Sequence, residues 1–145
     1  MTGPQGQREL VIEADGGSRG NPGESGSGAI VIDAESGEIL AALGVWGGIA
    51  SNNVAEYKGM IAGVRRARAI DPAAALTIRM DSKLVVEQMS GRWKIKHPAM
   101  ADLAAEARAE LQGVPVRFEW IPRERNSRAD ALANRAMDAR ADVEG

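Results

Sequence analysis

The period at which apolar residues recur changes once along this chain, and that change limits the folds open to it. Up to about Asn53 the period is two. "RELVIEA" at 8–14 sets Leu10, Ile12 and Ala14 on one face and Val11, Glu13 and Asp15 on the other. "GSGAIVIDAESGEILAALGVWGG" reads as two further strands about a turn at Glu35, Ser36 and Gly37, completing a three-strand meander. From Asn53 to about Ile70 the spacing turns helical: Val54, Tyr57, Ile61 and Val64 make a stripe, and Gly59, Ala62 and Gly63 allow close packing. "DPAA" at 71–74 breaks this helix, "LTIRM" is a short strand and "SKLVVEQM" a short helix. Beyond "GRWKIKHP", Met100, Leu103, Ala104, Ala107 and Leu111 mark an amphipathic helix stopped by Gly113 and Pro115. "VRFEWI" is a last strand, its Phe118 and Trp120 assigned to packing. Ala129, Leu132, Ala133, Ala136 and Met137 share one face of a final helix. The order βββ-α-β-α-α-β-α predicts an α/β fold. The expected architecture is a five-stranded mixed sheet, an antiparallel meander plus two parallel strands, with helices on both faces.

A length of 145 residues suits one domain, expected at 8–139 between a flexible tail at 1–7 and a C-terminal tail at 140–145. There is no cysteine and a single histidine, His97, which excludes a disulfide scaffold, a thiolate zinc site and a multi-histidine metal centre. That composition fits a reducing, cytoplasmic setting, and no apolar run reaches the length of a membrane span. The net charge of −2 argues weakly against a nucleic-acid partner. With four acids committed to a metal site, the remainder would be basic. The basic residues gather in "RRAR" (65–68), "GRWKIKH" (91–97) and "RERNSR" (123–128), each of which could equally be a solvated face.

Candidate chemistry rests on Asp15, Glu56, Asp81 and Asp130. Asp15 and Asp81 are read as the ends of the first and fourth strands; if these lie side by side and parallel, both acids emerge at the carboxyl edge of the sheet, where open α/β sheets bind ligands. Glu56 and Asp130 fall in the first turns of two helices, flanking the apolar stripe. Each has an ordinary alternative: Glu56 and Asp130 as members of capping boxes, Asp81 as a helix cap, Asp15 as a turn former. Together the four indicate an oxygen-only site for a hard cation, Mg²⁺ or Mn²⁺, and hence phosphoryl chemistry. The glycine-rich "DGGSRGNPG" runs into another strand and lacks Gly-Lys-Ser/Thr, so it is a close-approach turn and not a phosphate-binding P-loop.

"DGGSRGNPG", "SNNVAEY", "DSKLVVEQM" and "NSRADALAN" stand in the order and spacing of type 1 ribonuclease H, which the chain resembles from about Arg8 to Ala139, closest to the compact bacterial and archaeal branch. The resemblance implies a ribonuclease H-like fold and an endonuclease, acting as a monomer without organic cofactor, that cleaves the RNA strand of RNA–DNA hybrids. It implies two metal ions, with Asp15 between them, Asp130 on the water-activating side and Glu56 and Asp81 on the leaving-group side. It further implies hybrid contacts by Ser18, Gly20, Asn21, Asn52 and Asn53, a DNA phosphate on Ser51, and contacts by Lys83 and by Trp93 and Lys94 of the shortened basic handle. Lys96 of that handle could also meet phosphate. Many relatives carry a histidine in the loop before the last aspartate; here "IPRERNS" has none. Arg123 is the nearest stand-in, suited to steadying phosphate charge but not to carrying protons. His97 lies far in sequence from the acids and is not expected to be catalytic. A binding module or another nuclease on this fold would also fit the pattern, although a binder has no use for four acids beside phosphates.

Overall fold

The computed structural model describes residues 7–145, so the expected N-terminal tail lies, apart from Gln7, outside the described residues. The chain runs β1 (Glu9–Arg19), β2 (Gly23–Asp33), β3 (Ile39–Ala50), α1 (Asn52–Ile70), β4 (Ala75–Met80), α2 (Lys83–Met89), α3 (Pro98–Glu110), β5 (Val116–Trp120), α4 (Ser127–Ala139) and β6 (Val143–Glu144). The sheet order is β5-β4-β1-β2-β3-β6. β1, β4 and β5 are parallel neighbours, and the β1–β2–β3 meander is antiparallel.

The sheet therefore has six strands rather than the expected five. Val143 and Glu144 pair antiparallel with Gly44 and Leu43, and Arg66 clasps the Glu144 carboxylate through two bonds of 3.2 and 3.0 Å. Two residues carry no readable period, so backbone pairing at the edge of β3 makes this strand without a sequence signal. β1 also departs from expectation. It continues past Asp15 to Arg19, paired with Glu24 of β2. Glycines lack the side chains whose alternation announces a strand, yet the pairing with β2 keeps them extended.

The alternation along β1 sorts the two faces. Leu10, Ile12 and Ala14 pack with Tyr57, Met60 and Val64 of α1 and with α2 and α3, all under the same face. Val11 joins Ile30, Ile32 and Leu132 on the other, which α4 covers. Each fully buried Leu or Ile contributes roughly 1.5–3 kcal/mol, so this inside–outside pattern fixes the register. Among the described residues no helix is long and apolar enough to cross a membrane.

Two glycines let the helices reach the sheet. A Cβ on Gly16 would overlap the backbone of Ala55, just before Glu56; one on Gly28 would overlap the carbonyl of Ala129, just before Asp130. These contacts set the depth at which α1 and α4 deliver their acids. Gly28→Ala is expected to cost about 1–3 kcal/mol by overpacking, read as a lower urea midpoint at unchanged m-value, with impaired activity from a displaced Asp130.

Candidate active site

Pairing of β1 with β4 ends at Ala14 and Met80, so Asp15 and Asp81 are the next residues along two adjacent parallel strands. This is the expected carboxyl-edge placement, except that β1 runs on beyond it. Asp81 is not a helix cap: Ser82 caps α2, accepting from Val85 N at 3.3 Å. Nor is Glu56 part of a capping box, since Ser51 caps α1 and Glu56 instead accepts from Gly16 N at 2.8 Å through Oε1. Ser127 lies inside α4 rather than at its cap, so the "SRAD" box does not form and Asp130 is left facing the cleft.

One oxygen from each of Asp15, Glu56 and Asp81 can be chosen so that all three lie within 4.8 Å of one another. Asp130 stands outside this tight group but lines the same cleft of about 510 Å³, with Arg123 at its rim. Asp15 and Glu56 are each only 8% exposed. Burial, and then the Asp15 carboxylate beside it, push the Glu56 carboxyl far above the usual range. Burial also raises Asp15, and the charge of Asp81 adds to the rise. Two unit charges 4 Å apart repel by about 4 kcal/mol near a protein surface, so three ionised acids here need a cation to offset them. Glu56 Oε2 is buried with no hydrogen-bond partner among the described residues. A lone pair left open beside two other carboxylates, with no histidine or cysteine among the residues lining the cleft, fits a hard divalent ion such as Mg²⁺ or Mn²⁺.

A polar ledge adjoins the acids. Asn52 Oδ1 accepts from Ser18 N at 2.8 Å and from Ser18 Oγ at 3.0 Å, which turns its amide N–H₂ outward. Asn21 Oδ1 accepts from Asn52 N at 3.1 Å, with the same consequence for its own amide. Ser18, Asn52 and Asn53 line the cleft; Gly20, with φ of 98°, makes the neighbouring turn. Ser51 spends its oxygen on the α1 cap, accepting from Val54 N, and keeps its hydroxyl proton to donate. Lys83, Trp93 and Lys94 are exposed and do not line this cleft. His97 Nδ1 caps α3, accepting from Ala99 N at 3.2 Å. "RRAR" is bound up in the fold: Arg65 pairs with Glu106 and Glu110, Arg66 with Glu144, and Arg68 donates to the Gln112 carbonyl.

The sequence reading passed over Asn126 and misassigned Trp120. Asn126, 1% exposed, donates through Nδ2 to the Ala14 carbonyl at 2.8 Å and to Asp81 Oδ1 at 3.1 Å, tying β1, the start of α4 and one acid together. Its presence in "NSRAD" gave no hint of burial, because polar residues before a helix are ordinarily caps. Trp120 does not pack as expected: it is 51% exposed and donates from Nε1 to the Asp81 carbonyl at 3.2 Å.

The Reverse transcriptase-like family matches residues 13–136. The bifunctional protein Rv2228c of Mycobacterium tuberculosis is 54% identical over 134 residues, 92% of this chain but only 36% of that protein, so the chain spans about a third of that relative's length. The N-terminal RNase H domain of that protein, solved as a fusion with maltose binding protein, has a TM-score of 0.87 at 52% identity, covering 92% of this chain and 96% of that one. RNase H1 from the archaeon Halobacterium salinarum gives a TM-score of 0.82 at 37% identity, over 92% and 99% of the two chains. LC11-RNase H1, solved in complex with RNA/DNA hybrid, gives 0.85 at 35%, over 90% and 98%. The matched span contains all four acids. On sequence and fold alike, this chain belongs to the type 1 ribonuclease H family.

Proposed function

We propose that this chain is a metal-dependent endonuclease that hydrolyses the RNA strand of RNA–DNA hybrids, leaving 5′-phosphate and 3′-hydroxyl ends. The observation that carries the reading is the meeting of Asp15, Glu56 and Asp81 in a cleft that also takes in Asp130 and the Ser18–Asn52 ledge. The hybrid-bound LC11 enzyme supports the substrate class.

Asp15 would be shared between two Mg²⁺ or Mn²⁺ ions, Asp130 would help hold one, and Glu56 and Asp81 the other. When bound, such ions supply an activated water and offset charge on the leaving oxygen. The chain's own residues do the positioning. Asn126 holds Asp81 to the end of β1, and Gly16 N holds one oxygen of Glu56 so that the other faces the acids. The outward amides of Asn21 and Asn52 suit 2′-hydroxyls and base edges in the wide, shallow minor groove that only an RNA-containing duplex offers. Ser51 can donate to a DNA phosphate, and Lys83, Trp93 and Lys94 offer charge and a stacking ring to the same strand. Arg123 steadies phosphate charge at the cleft rim.

Incubation with Mg²⁺ or Mn²⁺ and a panel of hybrid, RNA duplex, DNA duplex and single strands tests this. Cleavage confined to the RNA of the hybrid, with 5′-phosphate products, is expected. Intact hybrid RNA under both metals would refute it.

A further inference from the structure

Arg123 is not alone as a cation in the cleft. Arg19 ends β1, four residues beyond Asp15, and lines the same cavity. Its Nη2 donates to Asn134 Oδ1 at 3.2 Å and meets Asp138 Oδ1 at 2.7 Å. Asn134 gives its amide nitrogen to Asp130, at 3.0 Å to the backbone oxygen and 3.4 Å to carboxylate Oδ2. Asp130, Asn134 and Asp138 are spaced by four, so they share one face of α4, and Arg19 bridges the last two.

The order of donors has a consequence. A guanidinium can only donate, and the Asp130 backbone carbonyl and ionised carboxylate can only accept, so both ends require the same orientation of the Asn134 amide: oxygen toward Arg19, nitrogen toward Asp130. Without the arginine the amide oxygen loses its partner, and the side chain is held from one end only, by the acceptors of Asp130. Asp130 reaches Asp15 from a helix packed on the opposite face of the sheet from α1, so what holds its side chain on α4 bears on that meeting.

We propose that Arg19 and Asn134 are positioning residues for Asp130, a relay from the end of β1 that holds this carboxylate toward the cleft so that it can join the divalent-ion site. The inference rests on the nuclease reading above and assigns it two residues that touch neither reacting atom. Outer partners of this kind typically change metal affinity or activity by 10–100-fold when removed.

Arg19→Met, which keeps the aliphatic stem, and Asn134→Ala are the test variants. Each should weaken Mn²⁺ binding about 10-fold, measured by calorimetry without nucleic acid. Each should also lower kcat on a hybrid by about 10-fold at subsaturating Mn²⁺, with KM for the hybrid unchanged. Arg19→Lys, which still donates to Oδ1, should recover most of both losses. In an Asp130→Asn background the same substitutions should add almost nothing, as expected of residues acting as one unit. Additive losses would mean that the pair acts independently of Asp130; a raised KM with Mn²⁺ binding intact would mean that Arg19 holds substrate instead. Either overturns the relay. A wild type that binds Mn²⁺ but leaves hybrids whole sinks the nuclease reading, while the calorimetry still decides the relay.

Discussion

Asp15→Asn is expected to lower hybrid cleavage by at least about three orders of magnitude, the scale on which groups acting as one catalytic unit fail together. The fold should be kept, and in metal-free buffer it should be more stable. Asp15 is the centre of the acid cluster: burial and the charge of Asp81 raise its carboxyl, and its own charge raises Glu56 in turn. An amide there keeps the shape but removes the central charge from a site where like charges repel by several kcal/mol. Loss of turnover without loss of fold follows from one change of an oxygen to NH₂. Retained turnover would break the assignment of the site, and a lowered melting temperature would show that Asp15 is structural.

The second large effect is a dependence of stability on pH that divalent metal removes. Asp15 and Glu56 both have folded-state carboxyls raised above their unfolded values, so the folded state holds protons that the unfolded state has lost. Stability of the metal-free protein must then fall as pH rises from the ordinary carboxylate range, about 4, through neutral pH. One extra retained proton corresponds to a slope of about 1.4 kcal/mol per pH unit. Asp33 works the other way. The Ser36 backbone N–H and hydroxyl and the Arg8 guanidinium hold its carboxyl down at about 2, so the stability it contributes is lost only below the window where Asp15 titrates. Urea melts between pH 5 and 8 should show the decline, saturating Mn²⁺ should flatten it, and Asp15→Asn should reduce it without metal. A flat metal-free profile would mean that the acids are not crowded in solution.

Most of the architecture was legible because burial writes a period into the chain. Leu10, Ile12 and Ala14 announce a strand, and Val54, Tyr57, Ile61 and Val64 a helix, wherever each has a side chain to bury. The glycines at 16 and 17 and the pair Val143–Glu144 write no such signal, so the length of β1 and the sixth strand had to come from backbone pairing. The acids could be chosen from their positions at element ends, while their ordinary alternatives could not be dismissed without Ser82, Ser51 and Asn126 seen at the caps. Support for the acids was the least legible part. Asn126 and Arg19 act across 112 and 115 residues of chain, and nothing local distinguishes a buried tether from a cap or a surface arginine from a relay. The polar stripe Asp130, Asn134 and Asp138 beside the apolar face of α4 was the one sequence cue available for the second of these.

Where divalent ions go tests the role of the four acids most directly. A crystal of the Asp15-intact protein with a non-cleavable hybrid and Mn²⁺, recorded at the manganese absorption edge, locates them without ambiguity. Two anomalous peaks are predicted, both touching Asp15, one shared with Asp130 and the other with Glu56 and Asp81. Manganese bound elsewhere, with these four side chains left unliganded beside an ordered hybrid, would contradict it.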